Sequence, residues 1–325
     1  MRAFVFPGQG SQFVGMGKDL YDEFPQAKAV FEEIDAALDQ KLSTLIFEGP
    51  ESDLNLTENT QPALMATSMA IVSILTNHAG LSLQDHCAFM AGHSLGEYSA
   101  LTAAGTFSLT DTARLLKTRG LAMQEAVPVG DGAMAAILGM DLDVVQDVVK
   151  KAAAQSEEAK GTAIVCQAAN DNSVGQVVVS GHVHAVETAV ELAQEQGAKK
   201  AVMLQVSAPF HCSLMAPAAQ RMSTALADAD MQEPCVSIVS NVSAKAESDP
   251  ATIRQLLVDQ VTDMVRWRES ILWMKAQGVT EIIELGAGKV LSGLIRRIDR
   301  DIKTSSVGSA EDVRSLITEL QKGNA

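Results

Sequence analysis

Short apolar runs that end at glycine or proline alternate with helical patterns along most of the chain. Four of these runs are RAFVFPGQG, AFMAGHSLG, VSIVSNVS and EIIELGAG. Strands that alternate with helices predict a mostly parallel sheet with helices on both faces. In such sheets the functional residues lie at the carboxyl ends of the strands, so we expect the site there.

The pattern changes in the middle of the chain. The order there is strand AMAAIL, helix 141–155, strand AIVCQA, strand GQVVVSG, helix 182–196 and strand KAVMLQV. This β-α-β-β-α-β order is typical of a ferredoxin-like unit. We therefore predict a large α/β catalytic domain formed by residues 1–132 and 205–325, with a small ferredoxin-like subdomain, residues 133–204, inserted into it. The cleft between them is the expected pocket.

The composition excludes several classes of function. The 325 residues include 40 Asp plus Glu against 25 Lys plus Arg, for a formal charge of -15. A chain this acidic repels phosphate backbones, so we expect no nucleic acid partner. The four cysteines are widely spaced, without the Cys/His grouping of a zinc site, so we expect no metal.

The N-terminus and the apolar tracts predict a cytoplasmic protein. Pro7 and Gly8 interrupt the N-terminus too early for the apolar core of a signal peptide. The longest apolar tract, ALMATSMAIVSIL at 63–75, is too short to span a bilayer. We expect no membrane partner, and the acidic surface favours a monomer.

The segment CAFMAGHSLGEYSALTAAG carries the strongest chemical signal. An apolar strand leads to Gly92, Ser94 lies between two glycines, and a helical pattern begins at Leu95. This is the Gly-x-Ser-x-Gly elbow of α/β-hydrolase-like domains, in which a strained turn presents the serine hydroxyl. The Leu95 amide, at the start of the helix, is the natural oxyanion donor. The alternative is that Ser94 only caps the helix.

A nucleophilic serine needs a base, and His211 is the best-placed histidine. It follows an apolar strand that leaves the insert and re-enters the large domain, where a strand-end base is expected. On position alone, a packed core histidine is an equally good interpretation.

Arg119 stands on the apolar face of a predicted helix. Helical spacing groups it with Leu115, Leu116 and Met123. A guanidinium that faces a core needs an anion, which is either a buried carboxylate of the protein or a carboxylate of the substrate.

Two glycine-rich loops lack nucleotide fingerprints. Gly8, Gly10 and Gly15 miss the Gly-x-Gly-x-x-Gly spacing, and ELGAGKVLSG lacks the phosphate-loop pattern. We expect no bound cofactor. The first loop fits better as the second wall of an oxyanion hole.

Taken together, FVFPGQGSQ, TQPAL, GHSLGEYSAL, Arg119, APFH and GAGKVL resemble the malonyl-CoA:acyl carrier protein transacylases of fatty acid synthesis. The similarity runs in order from residue 4 to about residue 297. The resemblance implies that Ser94 is the acylated nucleophile and His211 its base. It assigns the oxyanion hole to the backbone amides of Gln9 and Leu95, and replaces the usual triad acid with a carbonyl of Gln260 that orients the histidine.

The resemblance also implies the substrate contacts. Arg119 would bind the malonyl carboxylate, and the ring of Phe210 would disfavour a methyl branch on the acyl group. Further lining residues are expected in the cleft, two of them in the loop NDNSVGQ: Gln61, His93, Asn170 and Asn172.

The activity implied is transfer of malonyl from malonyl-CoA, through malonyl-Ser94, to the phosphopantetheine thiol of holo acyl carrier protein. In this reaction coenzyme A is part of the thioester substrate and is not a bound cofactor. Because carriers are acidic, basic residues should collect at the cleft rim. The candidates are Lys199, Lys200, Lys245, Arg254, Arg266, Arg268, Lys289, Arg296 and Arg297.

Three alternatives stay open from the sequence. A serine esterase or thioesterase would use water as acceptor and would not need Arg119. A non-catalytic subunit would keep the fold and recruit carriers without a reactive Ser94. A polyketide-type acyltransferase would carry another extender unit.

Overall fold

The computed structural model describes residues 1–160, 163–206 and 208–322. Its strands are β1 Arg2–Phe6, β2 Phe89–Gly92, β3 Gly132–Leu138, β4 Cys166–Ser173, β5 Gln176–His182, β6 Lys200–Met203, β7 Ile238–Val239, β8 Ala246–Glu247, β9 Glu281–Leu285 and β10 Lys303–Val307. Its α-helices are α1 Lys18–Glu23, α2 Pro25–Leu38, α3 Leu42–Glu48, α4 Glu51–Leu54, α5 Thr57–Ser73, α6 Leu95–Ala103, α7 Leu109–Glu125, α8 Leu142–Lys160, α9 Val183–Glu195, α10 Ala216–Ala227, α11 Pro250–Asp259, α12 Trp267–Ala276, α13 Val290–Ile298 and α14 Ala310–Lys322.

The large sheet has six strands in the order β10-β9-β1-β2-β7-β8. All neighbours are parallel except β7 and β8. The central strand β1 buries both faces, since Phe4 and Phe6 join one hydrophobic core while Ala3 and Val5 join the core on the opposite side. This near-continuous apolar strand is what a parallel sheet covered by helices requires. The predicted mixed α/β class is confirmed.

The two cores are built by different helices. Helices α12 and α13 cover one face, and a larger set that includes α2, α5, α6, α7, α10 and α14 covers the other. The tract 63–75 lies mainly in α5, which is buried on all sides, as expected for a helix that is apolar all round. Among the described residues, no helix combines the length and apolarity needed to cross a membrane.

The second sheet is antiparallel, with the strand order β4-β5-β3-β6. Helices α8 and α9 pack on one face through a separate small core that includes Ile137, Val177 and Val179. Met134 on β3 and Val178 on β5 alternate with these residues along their strands. They belong instead to the large core that contains Phe4 and Phe6. The subdomain therefore turns one covered face outward and one open face toward the large domain. We keep residues 133–204 as its proposed extent.

Strand β4 differs from its predicted position. The pattern placed it at AIVCQA, but it runs from Cys166 to Ser173 with two register shifts against β5. Asn170 and Asn172, predicted in a loop, therefore lie in a strand. Asn170 bridges to Val265 of the large domain, and Asp171 N donates to the Val265 carbonyl over 2.9 Å. This long-range pairing extends the strand through polar residues that the local pattern assigns to a turn.

We predict that Gly92→Ala destabilises the fold by about 3 kcal/mol or more, because the new methyl carbon would lie 1.9 Å from the Gly96 backbone. Gly293→Ala is the matched control. Gly293 lies within helix α13, and a methyl group added there would meet nothing within 4 Å. We expect that change to stabilise by up to about 1 kcal/mol. Urea unfolding measures both, and equal midpoints for the two variants would contradict the close contact.

Candidate active site

The turn between β2 and α6 presents Ser94. Its backbone has φ 52° and ψ -111°, a strained conformation for a residue with a side chain. A methyl group at Gly96 would lie 2.3 Å from the Phe6 carbonyl oxygen, so only glycine permits the helix to approach β1 this closely. The sequence prediction of a strand, a sharp turn and a helix is confirmed here.

Asn241 fixes this turn and was missed by sequence reasoning. Its side-chain Oδ1 accepts a hydrogen bond from Ser94 N over 2.7 Å, and its Nδ2 donates to the Gly92 carbonyl over 2.7 Å. The residue is fully buried and follows β7, the neighbour of β2 in the sheet. The available signal was the polar pair Ser240 and Asn241 directly after a buried strand.

His211 lies beside the serine. Its Nε2 is 2.8 Å from Ser94 Oγ, and its Nδ1 is 2.8 Å from the Gln260 carbonyl oxygen. Because a carbonyl only accepts hydrogen bonds, Nδ1 carries the proton and Nε2 is left to accept from the serine. Burial, and secondarily the charge of Arg119, lowers the pKa of His211 to about 3.

Arg119 projects from α7 into the same place and is 1% exposed. Its guanidinium donates to Ser94 Oγ over 3.1 Å, to Gln260 Oε1 over 2.8 Å and to Gln61 Oε1 over 2.9 Å. All three partners are neutral. Burial lowers the pKa of Arg119, but the ordinary value is so high that the group stays charged. The site therefore holds a desolvated cation without a carboxylate on its fork.

A cavity of about 470 Å³ opens over Ser94 between the two sheets. The open face of the small sheet supplies Met134, Ala136 and Val178 to the lining of this cavity. The large domain supplies the serine hydroxyl, the imidazole of His211 and the guanidinium. The predicted site residues that line it are Gln9, Gln61, His93, Ser94, Leu95, Arg119, Asn170, Asn172, Phe210 and His211. Gln260 lies behind this lining and reaches the site through its hydrogen bonds.

Two backbone segments meet at the expected oxyanion hole. Leu95 is the first residue of α6, so its N–H has no carbonyl to bond within the helix. Gln9 follows β1 in the adjacent loop. That loop packs tightly against the elbow, since a methyl group at Gly8 would lie 2.6 Å from the His93 carbonyl oxygen.

His93 joins the two domains across the cleft. Its Nε2 lies 2.7 Å from Asn172 Oδ1 on β4, and its ring packs 5.7 Å from that of Trp267. Burial lowers the pKa of His93. The neutral ring can donate to the asparagine oxygen without bringing another charge near Arg119.

Glu97 is a second residue that sequence reasoning missed. It lies one helical turn after Ser94 and is 2% exposed. Its Oε2 accepts from Gln260 Nε2 over 2.7 Å and from Asn241 N over 3.1 Å. Burial raises its pKa to about 7. The sequence signal for Glu97 was an acidic residue in the mostly apolar helix that follows Ser94 in GHSLGEYSAL.

Basic residues gather beside the cleft in two connected hollows. The first shares Gln176 with the cavity over Ser94 and is also lined by Lys199 and Arg297. The second continues from Arg297 to Arg296 and Arg300. Of the other predicted rim residues, Arg266 and Arg268 are paired with Glu269 and Asp171, and Arg254 donates to the Ala229 carbonyl. We call Lys199, Arg296, Arg297 and Arg300 the basic rim.

The part of the chain that the structure describes holds no group of three or more His, Cys, Asp or Glu side chains arranged to bind a metal ion. The main polar side chains that line the cavity are instead a hydroxyl, two imidazoles, a guanidinium and amides. This set suits acyl transfer through an activated hydroxyl.

Comparison with known proteins gives a consistent result. Residues 3–323 match the model of the acyl transferase domain family. The chain is 47% identical over 322 residues to the malonyl CoA-acyl carrier protein transacylase of Bacillus subtilis (strain 168), covering 99% of this chain and 98% of that one.

Solved structures agree in fold. An acyl-carrier-protein-S-malonyltransferase from Bartonella henselae superposes with a TM-score of 0.94 at 54% identity, covering 98% of this chain and 99% of that one. A malonyl-transacylase in complex with a type II polyketide acyl carrier protein gives a TM-score of 0.91 at 40% identity, with coverage of 98% and 99%. This chain therefore belongs to the acyl transferase domain family, among the malonyl-CoA:acyl carrier protein transacylases.

Proposed function

We propose that this enzyme transfers malonyl from malonyl-CoA to the phosphopantetheine thiol of holo acyl carrier protein through an ester on Ser94. The observation that carries the proposal is the fork of Arg119, held 3.1 Å from Ser94 Oγ with only neutral partners. A buried guanidinium beside a nucleophile favours an acyl group that brings its own carboxylate.

Acylation begins when Ser94 Oγ attacks the thioester carbonyl. The hydroxyl proton passes to His211 Nε2 as the O–C bond forms, and the resulting oxyanion lies toward the amides of Gln9 and Leu95. The C–S bond then breaks. The proton moves from His211 to the sulfur, and coenzyme A leaves as the thiol.

Arg119 has two effects on the malonyl group. Its two terminal nitrogens can bind a carboxylate bidentately, exchanging the amide oxygens of Gln61 and Gln260 for the substrate. A fixed carboxylate also holds the acyl carbonyl in one orientation. An incoming nucleophile must then approach that carbonyl from one direction. The thiol of a bound carrier is held in that direction, whereas free water is not.

The second half-reaction reverses the first with a new thiol. The phosphopantetheine sulfur gives its proton to His211 and attacks the Ser94 ester. The C–O bond breaks, Ser94 Oγ regains the proton from His211, and malonyl leaves on the carrier. Malonyl-CoA, the carrier thiol and the side chains of Ser94 and His211 supply every atom and proton, so the proposal includes no bound cofactor or metal.

The lining of the cavity supports a small acyl group. Phe210, directly before His211, lines the cavity. We propose that its ring disfavours a methyl branch on the acyl group. One methyl group changes binding by only about 1–3 kcal/mol, so Phe210 sets a preference. His93, Asn170 and Asn172 also line the cavity, and the proposal includes contacts from them to the malonyl or pantetheine group.

The basic rim is the proposed docking place for the acidic carrier. All four of its side chains are exposed, and Asp141 is the only carboxylate among the described residues that line the two hollows. Arg297 donates to Gln176 Oε1 over 2.8 Å, and Gln176 also lines the cavity over Ser94. A carrier bound there can direct its flexible arm along this path.

We place the reaction in fatty acid synthesis, in the cytoplasm, as the source of malonyl units. Because one chain supplies the whole cavity and its chemical groups, the proposal includes a monomer. A polyketide carrier is an alternative acceptor, favoured by the carrier in one related complex. The thioesterase alternative is less well supported, since His211 is oriented by a carbonyl and Arg119 has no role in it.

Ser94→Ala should abolish the malonyl adduct seen by intact-protein mass spectrometry after brief mixing with malonyl-CoA.

Arg119→Ala should reduce acylation by malonyl-CoA about 100-fold or more, while acylation by acetyl-CoA changes less, because only malonyl loses a charge-assisted contact. Wild-type adduct should move to holo carrier on its addition. Release of free malonate with a bare carrier would contradict the transferase and favour the thioesterase.

Ser94 should keep its reactivity in mild acid. The base is the neutral form of His211, and with a pKa of about 3 this form persists where a free imidazole, at 6.5, would be protonated. Labelling by an uncharged fluorophosphonate should therefore change by no more than about twofold between about pH 8 and about pH 5.5. His211→Ala should remove the labelling throughout. A midpoint near 6.5 in the wild type would contradict the lowered pKa.

Arg297→Ala should raise the KM for holo carrier about fivefold and weaken the salt dependence of transfer, because a rim charge acts mainly on encounter. Lys245→Ala is the control, since Lys245 is exposed on the β7–β8 connection, away from both hollows. Acylation by malonyl-CoA measured without carrier identifies any loss at Ser94 itself. Equal KM values for the two variants would remove Arg297 from the docking surface.

A further inference from the structure

The site contains a buried carboxylate that the transfer steps do not use. We propose that Glu97 is a charge-balancing residue that acts on Arg119 through Gln260 and thereby limits how strongly the site prefers an acyl group with a free carboxylate. The inference rests on the proposed role of Arg119 in binding malonyl. It gives Glu97 a positioning role, since this side chain does not line the cavity.

A single amide connects the two charges. Gln260 Nε2 donates to Glu97 Oε2 over 2.7 Å, and Gln260 Oε1 accepts from Arg119 over 2.8 Å. A carboxylate only accepts and a guanidinium only donates, so the two charges together fix which way the amide points. The same residue's carbonyl orients His211. The placement of Gln260 thus links the acid, the cation and the base.

Glu97 differs from the other buried acids of the described chain. Asp171 is paired with Arg268, Asp35 lies within 3.9 Å of Lys41, and the Glu284 carboxylate caps the start of α13. Glu97 is bound by the Gln260 amide, the Asn241 backbone N–H and the Ser240 hydroxyl, with no cation in direct contact. Arg119 has the complementary position, buried with neutral partners only. In the unloaded enzyme each charge therefore compensates the other across Gln260.

A malonyl group changes this balance, and an acetyl group does not. The malonyl carboxylate on the Arg119 fork is a second negative charge on the same cation, at short range and shielded from water. An ionised Glu97 repels it. Removing that charge should strengthen malonyl binding and leave acetyl nearly unaffected. The phosphates of coenzyme A are common to both substrates and cancel in the comparison.

The protonation state of Glu97 gives this balance a pH dependence. Burial raises the pKa of Glu97 to about 7. Of the groups that face it or its partners, Arg119 stays charged, burial raises the pKa of Tyr98 to about 12, and burial lowers the pKa values of His93 and His211. Glu97 is thus the group that titrates near neutrality. It becomes charged as pH rises, so preference for malonyl should fall.

The test compares kcat/KM for acylation by malonyl-CoA with that by acetyl-CoA in wild type and Glu97→Gln. The replacement keeps the shape, and its amide oxygen can still accept from Gln260 and Asn241. At about pH 8 we expect the malonyl-to-acetyl ratio to rise about tenfold, as one unit charge across partly screened protein would cause. The wild-type ratio should fall between about pH 6 and about pH 8, and the variant ratio should stay constant.

Two further variants separate the possible causes. Glu284→Gln also removes a buried carboxylate and should lower stability without moving the ratio. In an Arg119→Ala background, Glu97→Gln should no longer change the ratio, because the carboxylate has lost its place on the fork.

The malonyl-to-acetyl ratio in these variants separates failure of the Glu97 inference from failure of the proposed malonyl recognition. Acylation by malonyl and acetyl falling together, with a constant ratio, would overturn the inference and leave Glu97 a packing residue. So would a wild-type ratio that does not vary with pH. If Arg119→Ala itself left the ratio unchanged, the proposed malonyl recognition would fail first. If only Glu97→Gln left it unchanged, the transferase proposal would stand without this addition.

Discussion

The close contact between β2 and α6 is the constraint on which the site depends. Gly92 and Gly96 allow backbone atoms to approach where no side chain fits, and the chain must then turn sharply at Ser94. The strain of that turn is offset by fixed hydrogen bonds, two of them from the buried side chain of Asn241. A flexible loop would place the hydroxyl less accurately, and both His211 and Arg119 act over a single hydrogen-bond length.

Desolvation decides the electrostatics of the cleft. Burial keeps His211 neutral, so it can accept a proton from Ser94 in mild acid. Burial also leaves the charge of Arg119 poorly compensated, since its direct partners are amides and a hydroxyl. A nearby carboxylate would have neutralised that cation and removed the reason to select an anionic acyl group. In the proposed charge balance, the separation of Glu97 from Arg119 by Gln260 stabilises the cation and leaves its fork free for a substrate carboxylate.

The inserted subdomain closes the cleft with a sheet face instead of a flexible lid. Strand β4 pairs with Val265, Arg268 donates to Asp171, and His93 lies against Asn172, so three contacts hold one side of the insert to the large domain. The basic rim lies beside the cleft near the β4–β5 turn, where Arg297 donates to Gln176. An acidic protein of formal charge -15 can attract an acidic carrier only through such a local concentration of cations.

Sequence periodicity determined the α/β class and the strand-turn-helix elbow, because these follow from local hydrophobic spacing and from glycine at fixed offsets around Ser94. It also predicted a second, smaller unit at residues 133–204. It also placed Arg119 on a buried face and His211 at a strand end, but left the partner of each open. The family resemblance assigned the orientation of His211 to a carbonyl of Gln260. Only the tertiary structure decided that Arg119 lacks a direct carboxylate and that Asn241 and Glu97 belong to the site. These contacts join residues more than one hundred positions apart in several cases, and hydrogen bonds to backbone atoms leave no side-chain pattern to read. The position of β4 has the same cause, since its polar half pairs with Val265, a single residue far away in the sequence.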